Sequence, residues 1–157
     1  MPDRTIVHAD FTLERDFTAP PNQVFAAFTS RAVKRAWFAK PQDARAEHYE
    51  LDFRAGGQEL KRGRHVDGRM RTSTTHYLDI VPNERIVCTY EVGLDDVLIS
   101  VSLATFEFLP EEDGTLLILT ESGAFFGRSE KPKWRVASAE TMLDALDDYL
   151  EESSRLI

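Results

Sequence analysis

Between positions 6 and 17 the apolar residues Val7, Phe11, Leu13 and Phe17 occupy odd positions, while His8, Asp10, Thr12, Glu14 and Asp16 occupy even ones. That is the period of a strand with one buried face. Pro20 and Pro21 stop the alternation, and Val24, Phe25 and Phe28 follow at helical spacing, so a short helix is predicted to about Thr29. Ser30 can cap a second short helix that runs through Val33 and Ala36 to Trp37 and Phe38 and is closed by Pro41. Strand patterns then recur over 47–53, 58–66, 70–81, 85–92, 97–109 and 116–122. The links carry turn chemistry: Gly56 and Gly57 can supply positive φ, Asp67 and Gly68 suit a primed hairpin turn, Pro82 and Asn83 a type I turn, and Asp113 and Gly114 another hairpin. Links this short join antiparallel neighbours.

Over 133–152, Trp134, Met142, Leu143, Leu146, Tyr149 and Leu150 gather on one side of a long helix. The order of one strand, two short helices, six strands and a long helix predicts an α+β helix-grip fold. A curved antiparallel sheet of about seven strands would wrap around the C-terminal helix. The expectation is one domain over 1–157.

Composition narrows the function. The chain has 157 residues and a formal net charge of −8, which disfavours nucleic acid and anionic membranes as partners. A single cysteine, Cys88, leaves no intramolecular disulfide or multi-cysteine metal site and suits a reducing, cytoplasmic setting. No apolar run approaches the length needed to insert in a bilayer, and the charged N-terminal segment is expected to belong to the folded protein rather than to a leader.

The strings FTAPPNQVFAAFT, AWF, LDFRAGG, YLDIVPNERIVCTYE, TFEFLPEEDGTLLILTE and LDALDDYLEE, in that order and spacing, resemble the single-domain bacterial members of the family named after the activator of Hsp90 ATPase, in the START-like (SRPBCC) superfamily. The resemblance implies a cavity between the curved sheet and the last helix. Superfamily relatives use it for lipids, hormones, polyketides or other apolar molecules. It implies no invariant catalytic set.

The adjacent Gly56 and Gly57 are followed by more strand rather than by a helix, so they predict a bend and not a phosphate loop. Lys61, Arg62, Arg64, Arg69 and Arg71 form a basic hairpin. Arg62 and Arg64 share parity with Leu60 and Val66, so one of them could face the cavity and recognise a carboxylate or pair with an acidic neighbour, or these cations could reach solvent and protect the strand edge. In the following strands Met70, Thr72, Thr74, His76, Leu78 and Ile80 share one face, and Ile86, Cys88, Tyr90 and Val92 another. With the apolar members taken as inward, Thr74, His76, Cys88 and Tyr90 become polar groups among apolar walls. They either orient a ligand or are core residues satisfied by neighbours.

Trp37, Phe38, Phe108, Phe126, Trp134 and Met142 are the expected apolar lining, with Phe125 and Phe126 as gate residues in a glycine-bounded loop. No histidine, cysteine or serine spacing marks a catalytic centre, a metal site or a cofactor loop. The expected function is binding of an apolar or amphipathic small molecule, with no catalytic residue, metal or cofactor assigned. A protein-interaction module of the co-chaperone type, a cyclase-like or hydrolase-like enzyme, and a homodimer or other protein partner stay open.

Overall fold

The computed structural model describes residues 5–39, 46–64, 67–127 and 130–155, with no side-chain description at 46–47. Within them the chain runs β1 (Ile6–Phe17), α1 (Pro21–Ala26), α2 (Arg31–Phe38), β2 (Ala46–Leu51), β3 (Gln58–Arg64), β4 (Met70–Val81), β5 (Arg85–Leu94), β6 (Val97–Glu111), β7 (Gly114–Phe126) and α3 (Pro132–Arg155). The seven strands form one antiparallel sheet in the order β1-β7-β6-β5-β4-β3-β2, with α3 against its inner face. This is the α+β helix-grip arrangement that the element order predicts.

Local chemistry accounts for the short elements. Pro21 opens α1, whose missing amide would be unpaired at a helix start in any case. The Ser30 hydroxyl accepts the Val33 amide at the start of α2. The Gly56–Gly57 bend is tied to the neighbouring strand: Gly56 N donates to Tyr77 O at 2.8 Å and Tyr77 N to Gly57 O at 3.0 Å. Gly56 has φ 85, and a Cβ on Gly57 would lie 2.1 Å from Asp52 O, so both glycines serve the turn. Asn83, at φ 66, gives Pro82–Asn83 the positive φ of a type II turn rather than the expected type I. Pro41, His65 and Val66 lie outside the described residues.

One buried cluster joins α1, α2 and α3 to β1, β6 and β7. Phe28 is 2% exposed, and its ring stands edge-on to Trp37, Phe106 and Phe108 at 5.2–5.5 Å. Leu143 and Leu146 of α3 join Phe17, Leu117 and Leu119 in the same cluster. Edge-to-face rings at these separations add to area burial. Phe28→Ala is therefore expected to cost about 3–5 kcal/mol in urea unfolding. Leu78→Ala, at an outward residue that is 55% exposed, should stay within about 0.5 kcal/mol. Equal losses at the two positions would contradict this placement of the core.

Candidate functional site

Along the inward face of α3 the residues read Arg135, Ala139, Leu143 and Leu146, so one small side chain stands between large ones. Ala139 on α3 and Ala104 on β6 both line a space that no side chain fills. The result is a cavity of about 600 Å³, within the range of small-molecule sites. Ile86, Cys88, Tyr90, Ala104 and Phe106 form its floor, Ala139, Met142 and Ala145 its roof, and Phe28, Trp37 and Phe38 the end beside α1 and α2. Exposed lining residues, Arg64 on β3 and Ser138 and Thr141 on α3, mark its mouth.

Two polar clusters interrupt the apolar wall. In the first, Lys34 of α2 reaches across to β3, with Nζ 2.7 Å from Glu59 Oε2, and it donates to Tyr77 OH at 3.3 Å. Tyr49 OH and Tyr77 OH both donate to the same Glu59 carboxylate. Burial pulls the Lys34 ammonium down, but Glu59 and Tyr77 outweigh it and hold the group protonated well above the usual lysine range. Burial, reinforced by Glu59, keeps the Tyr49 and Tyr77 hydroxyls protonated far above the usual tyrosine range.

The second cluster surrounds Arg135 of α3, which is 4% exposed. Its Nη1 donates to Tyr90 OH at 2.9 Å and to Ser102 Oγ at 3.5 Å, and its Nη2 to Ser100 Oγ at 2.7 Å. Tyr90 OH in turn donates to Glu121. The guanidinium lies 5.3 Å from the Tyr90 ring centroid and 5.1 Å from that of Phe125. Arg71 Nη1 binds Glu130 Oε2 at 2.9 Å, whereas Arg135 Nε is 3.8 Å from Glu130 Oε1 and has no hydrogen-bond partner. Burial raises the Glu121 carboxyl above the usual range, with Tyr90 and Arg135 opposing the rise.

Five of the residues expected from sequence line this cavity: Trp37, Phe38, Cys88, Tyr90 and Met142. The other six lie elsewhere. Thr74 and His76 are on the outer face of β4, because a bulge between Tyr77 and Asp79 switches the parity. Ile80 faces the core, but before the bulge Arg71, Ser73, Thr75 and Tyr77 are the inward residues. His76 instead lies 3.3 Å from Gln58 Nε2 and 3.9 Å from Glu91 Oε1. Arg62 points outward, since β3 turns Glu59, Lys61 and Gly63 to the cavity. Phe108 is packed in the aromatic cluster beneath α1. Phe125 and Phe126 belong to the end of β7 rather than to a loop, and it is Phe125 that is buried. Trp134 is 46% exposed beside Lys131, because it sits nine residues, about two and a half turns, from Leu143 and so on the opposite side of α3.

Lys34, Glu59, Tyr77, Glu121 and Arg135 are cavity residues that pattern reading missed. Signals for three of them were present. Glu121 shares parity with Leu117 and Leu119, Arg135 stands four and eight residues before Ala139 and Leu143, and Lys34 stands three before Trp37. Among the described residues no histidine lines the cavity, no cluster of three or more His, Cys, Asp or Glu could hold a metal ion, and no helix is long and apolar enough to cross a membrane.

The model of the family described as activator of Hsp90 ATPase homolog 1-like protein matches residues 18–151. A solved structure of a putative uncharacterized protein from Rhizobium leguminosarum is 38% identical, with a TM-score of 0.90 over 96% of this chain and 99% of that one. The Mll3558 protein from Rhizobium loti is 35% identical, with a TM-score of 0.85 over 93% of this chain and 99% of that one. A protein of unknown function, SA2116 from Staphylococcus aureus, shares the fold at 18% identity, with a TM-score of 0.77 over 96% and 98% of the two chains. No curated protein matches the sequence.

Two outcomes follow from the site's electrostatics. Lys34→Met strands a buried carboxylate and is expected to cost about 3–5 kcal/mol in urea unfolding, whereas Lys34→Met with Glu59→Met should cost less than the single change. Additive losses would mean that the pair is not coupled. Burial pushes the Cys88 thiol up to about 12, so the folded protein keeps it neutral where the unfolded chain ionises near its ordinary value. Stability should fall as pH rises from about 9 toward 12. Labelling by a thiol-disulfide reagent at pH 8 should be about 100-fold slower than in urea. Rapid native labelling would show an accessible thiolate.

Proposed function

The chain belongs to the activator of Hsp90 ATPase homolog 1-like family, and on that footing we propose that it binds an apolar or amphipathic small molecule in the cavity between the sheet and α3. The observation that carries this reading is the cavity of about 600 Å³ itself. Packed cores leave few voids larger than a water molecule, and a cavity of this size lies in the range that ligand sites occupy. The wall has the composition such sites use: a mostly apolar surface from Phe28, Trp37, Phe38, Ile86, Phe106 and Met142, with a few fixed polar groups.

In this reading Trp37, Phe38 and Met142 contact the ligand's apolar body. Tyr90 is a fixed hydroxyl that donates its proton to Glu121 and accepts from Arg135, so its remaining lone pair can meet a ligand donor without reorganisation. Cys88 contributes only its small apolar bulk, since its thiol stays neutral. The mouth between β3 and α3 gives a route in without unfolding the helix.

The test is fluorescence titration with N-phenyl-1-naphthylamine, a neutral apolar dye. Saturable one-site enhancement is expected. Ala104→Phe, which places a ring on the cavity floor, should weaken it by about tenfold or more, a change of about 1.4 kcal/mol, while the far-ultraviolet circular dichroism stays that of the wild type. No enhancement by wild-type protein, or full enhancement in Ala104→Phe, would overturn the reading. Native mass spectrometry of freshly purified protein, before and after denaturation, would then identify any molecule that copurifies.

A further inference from the structure

The sign of the charge around the cavity is opposite to that of the protein. The chain carries a formal net charge of −8, yet among the described lining residues Lys34, Lys61, Arg64, Arg71 and Arg135 are cations, and only Glu59 and Glu121 are carboxylates. The cations are not spread evenly. Glu59 serves Lys34 beside α2, while at the far end two guanidinium groups, Arg71 and Arg135, share Glu130.

That second end is built in a way suited to an incoming anion. Arg135 is 4% exposed, and hydroxyls of Tyr90, Ser100 and Ser102 hold its two terminal nitrogens. Hydroxyls can fix a guanidinium in place but cannot neutralise it, and of the two nearby carboxylates Glu121 reaches it only through Tyr90 while Glu130 is shared with Arg71. Arg135 Nε lies too far from Glu130 for a hydrogen bond and is the unsatisfied buried side-chain atom among the described residues. An unpaired buried donor on a charged group costs free energy unless something else meets it. Arg71, whose side chain is 31% exposed, stands beside it on the wall, and a planar guanidinium is suited to carboxylate and related oxyanions.

We propose that the end of the cavity between Arg71 and Arg135 is an oxyanion subsite, so that the ligand is an amphipathic organic acid. Its acidic head meets the two guanidinium groups and its apolar body lies along Cys88, Ala104, Phe106 and Met142. Glu130 is then the resident carboxylate that holds the two arginines in the empty protein and competes with the ligand's head group. This inference rests on the cavity-binding reading above and adds the ligand's charge.

The experiment compares two dyes that differ by one group: N-phenyl-1-naphthylamine, and 8-anilino-1-naphthalenesulfonate, which carries a sulfonate on the same body. The sulfonate dye is expected to bind wild-type protein about tenfold more tightly, and that preference should shrink as salt is raised. Arg71→Gln should remove most of the preference, by weakening the sulfonate dye far more than the neutral one. Glu130→Gln should act the other way, tightening the sulfonate dye by about threefold, because the arginines lose their internal competitor. A purely structural Arg71–Glu130 pair would shift both dyes together in both variants.

If Arg71→Gln does not fold, wild-type protein suffices: dodecanoate should displace the neutral dye at about one-tenth the concentration that dodecanol needs. Equal binding of the two dyes, equal displacement by acid and alcohol, or an unchanged preference in Arg71→Gln would overturn the oxyanion subsite and leave the cavity reading standing. Failure of both dyes to bind would instead overturn the cavity reading, and the subsite with it.

Discussion

The constraint on which this structure depends is the uneven size of the side chains that α3 turns toward the sheet. Near its start Arg135 reaches the sheet through Tyr90, Ser100 and Ser102, and further along Leu143 and Leu146 are buried with Phe17, Leu117 and Leu119. Between them stands the small Ala139, and the cavity that it lines has the equally small Ala104 on its β6 wall. A helix is stiff over this length, so contacts on both sides of Ala139 fix its height between them. A gap opposite small residues then persists rather than collapsing, because closing it would unpack the aromatic cluster around Phe28. The cavity is thus a consequence of good packing elsewhere.

Polar anchors keep the two sides of the gap in register. Lys34 and Glu59 tie α2 to β3, Arg31 Nε donates to Tyr49 O on β2, and Lys61 Nζ donates to Phe38 O. At the other end Arg135 ties α3 to β5 and β6 through Tyr90, Ser100 and Ser102. Buried ion pairs contribute little net stability relative to apolar packing, since desolvation offsets most of their attraction, but losing one member is costly. Their effect here is geometric. They fix which residues of β3, β4 and α3 face one another across a space that apolar contact does not fill, and they supply the wall with dipoles already oriented.

The same anchors explain why part of the site was hidden in the sequence. Strand reading assumes that the inward face is the apolar one. On β5 that holds, and Ile86, Cys88, Tyr90 and Val92 do face in. On β3 and β4 the wall of the cavity is polar, so Glu59, Lys61, Arg71, Ser73 and Thr75 occupy the inward parity while Leu60 and Leu78 do not line it. The bulge before Asp79 compounded the error, because it let Ile80 face the core while reversing every residue before it. A one-residue shift moves a whole strand's side chains to the other face, and an alternation pattern contains no mark of where the shift occurs.

By itself the sequence determined the element order, the antiparallel pairing implied by short glycine, asparagine and proline turns, and the helix-grip architecture. Each of these rests on local chemistry: the period of apolar residues, the cap at Ser30, and the turns at Gly56–Gly57 and Pro82–Asn83. Of the residues that it marked for a ligand site, Trp37, Phe38, Cys88, Tyr90 and Met142 line the cavity. Only the tertiary structure decided that the space beneath α3 is open, that Arg135 rather than Trp134 faces it, and that Lys34 and Glu59 meet across it. Those outcomes depend on distances between elements far apart in the chain. Whether two facing surfaces touch or stand apart is a property of both together, and neither segment's pattern contains it.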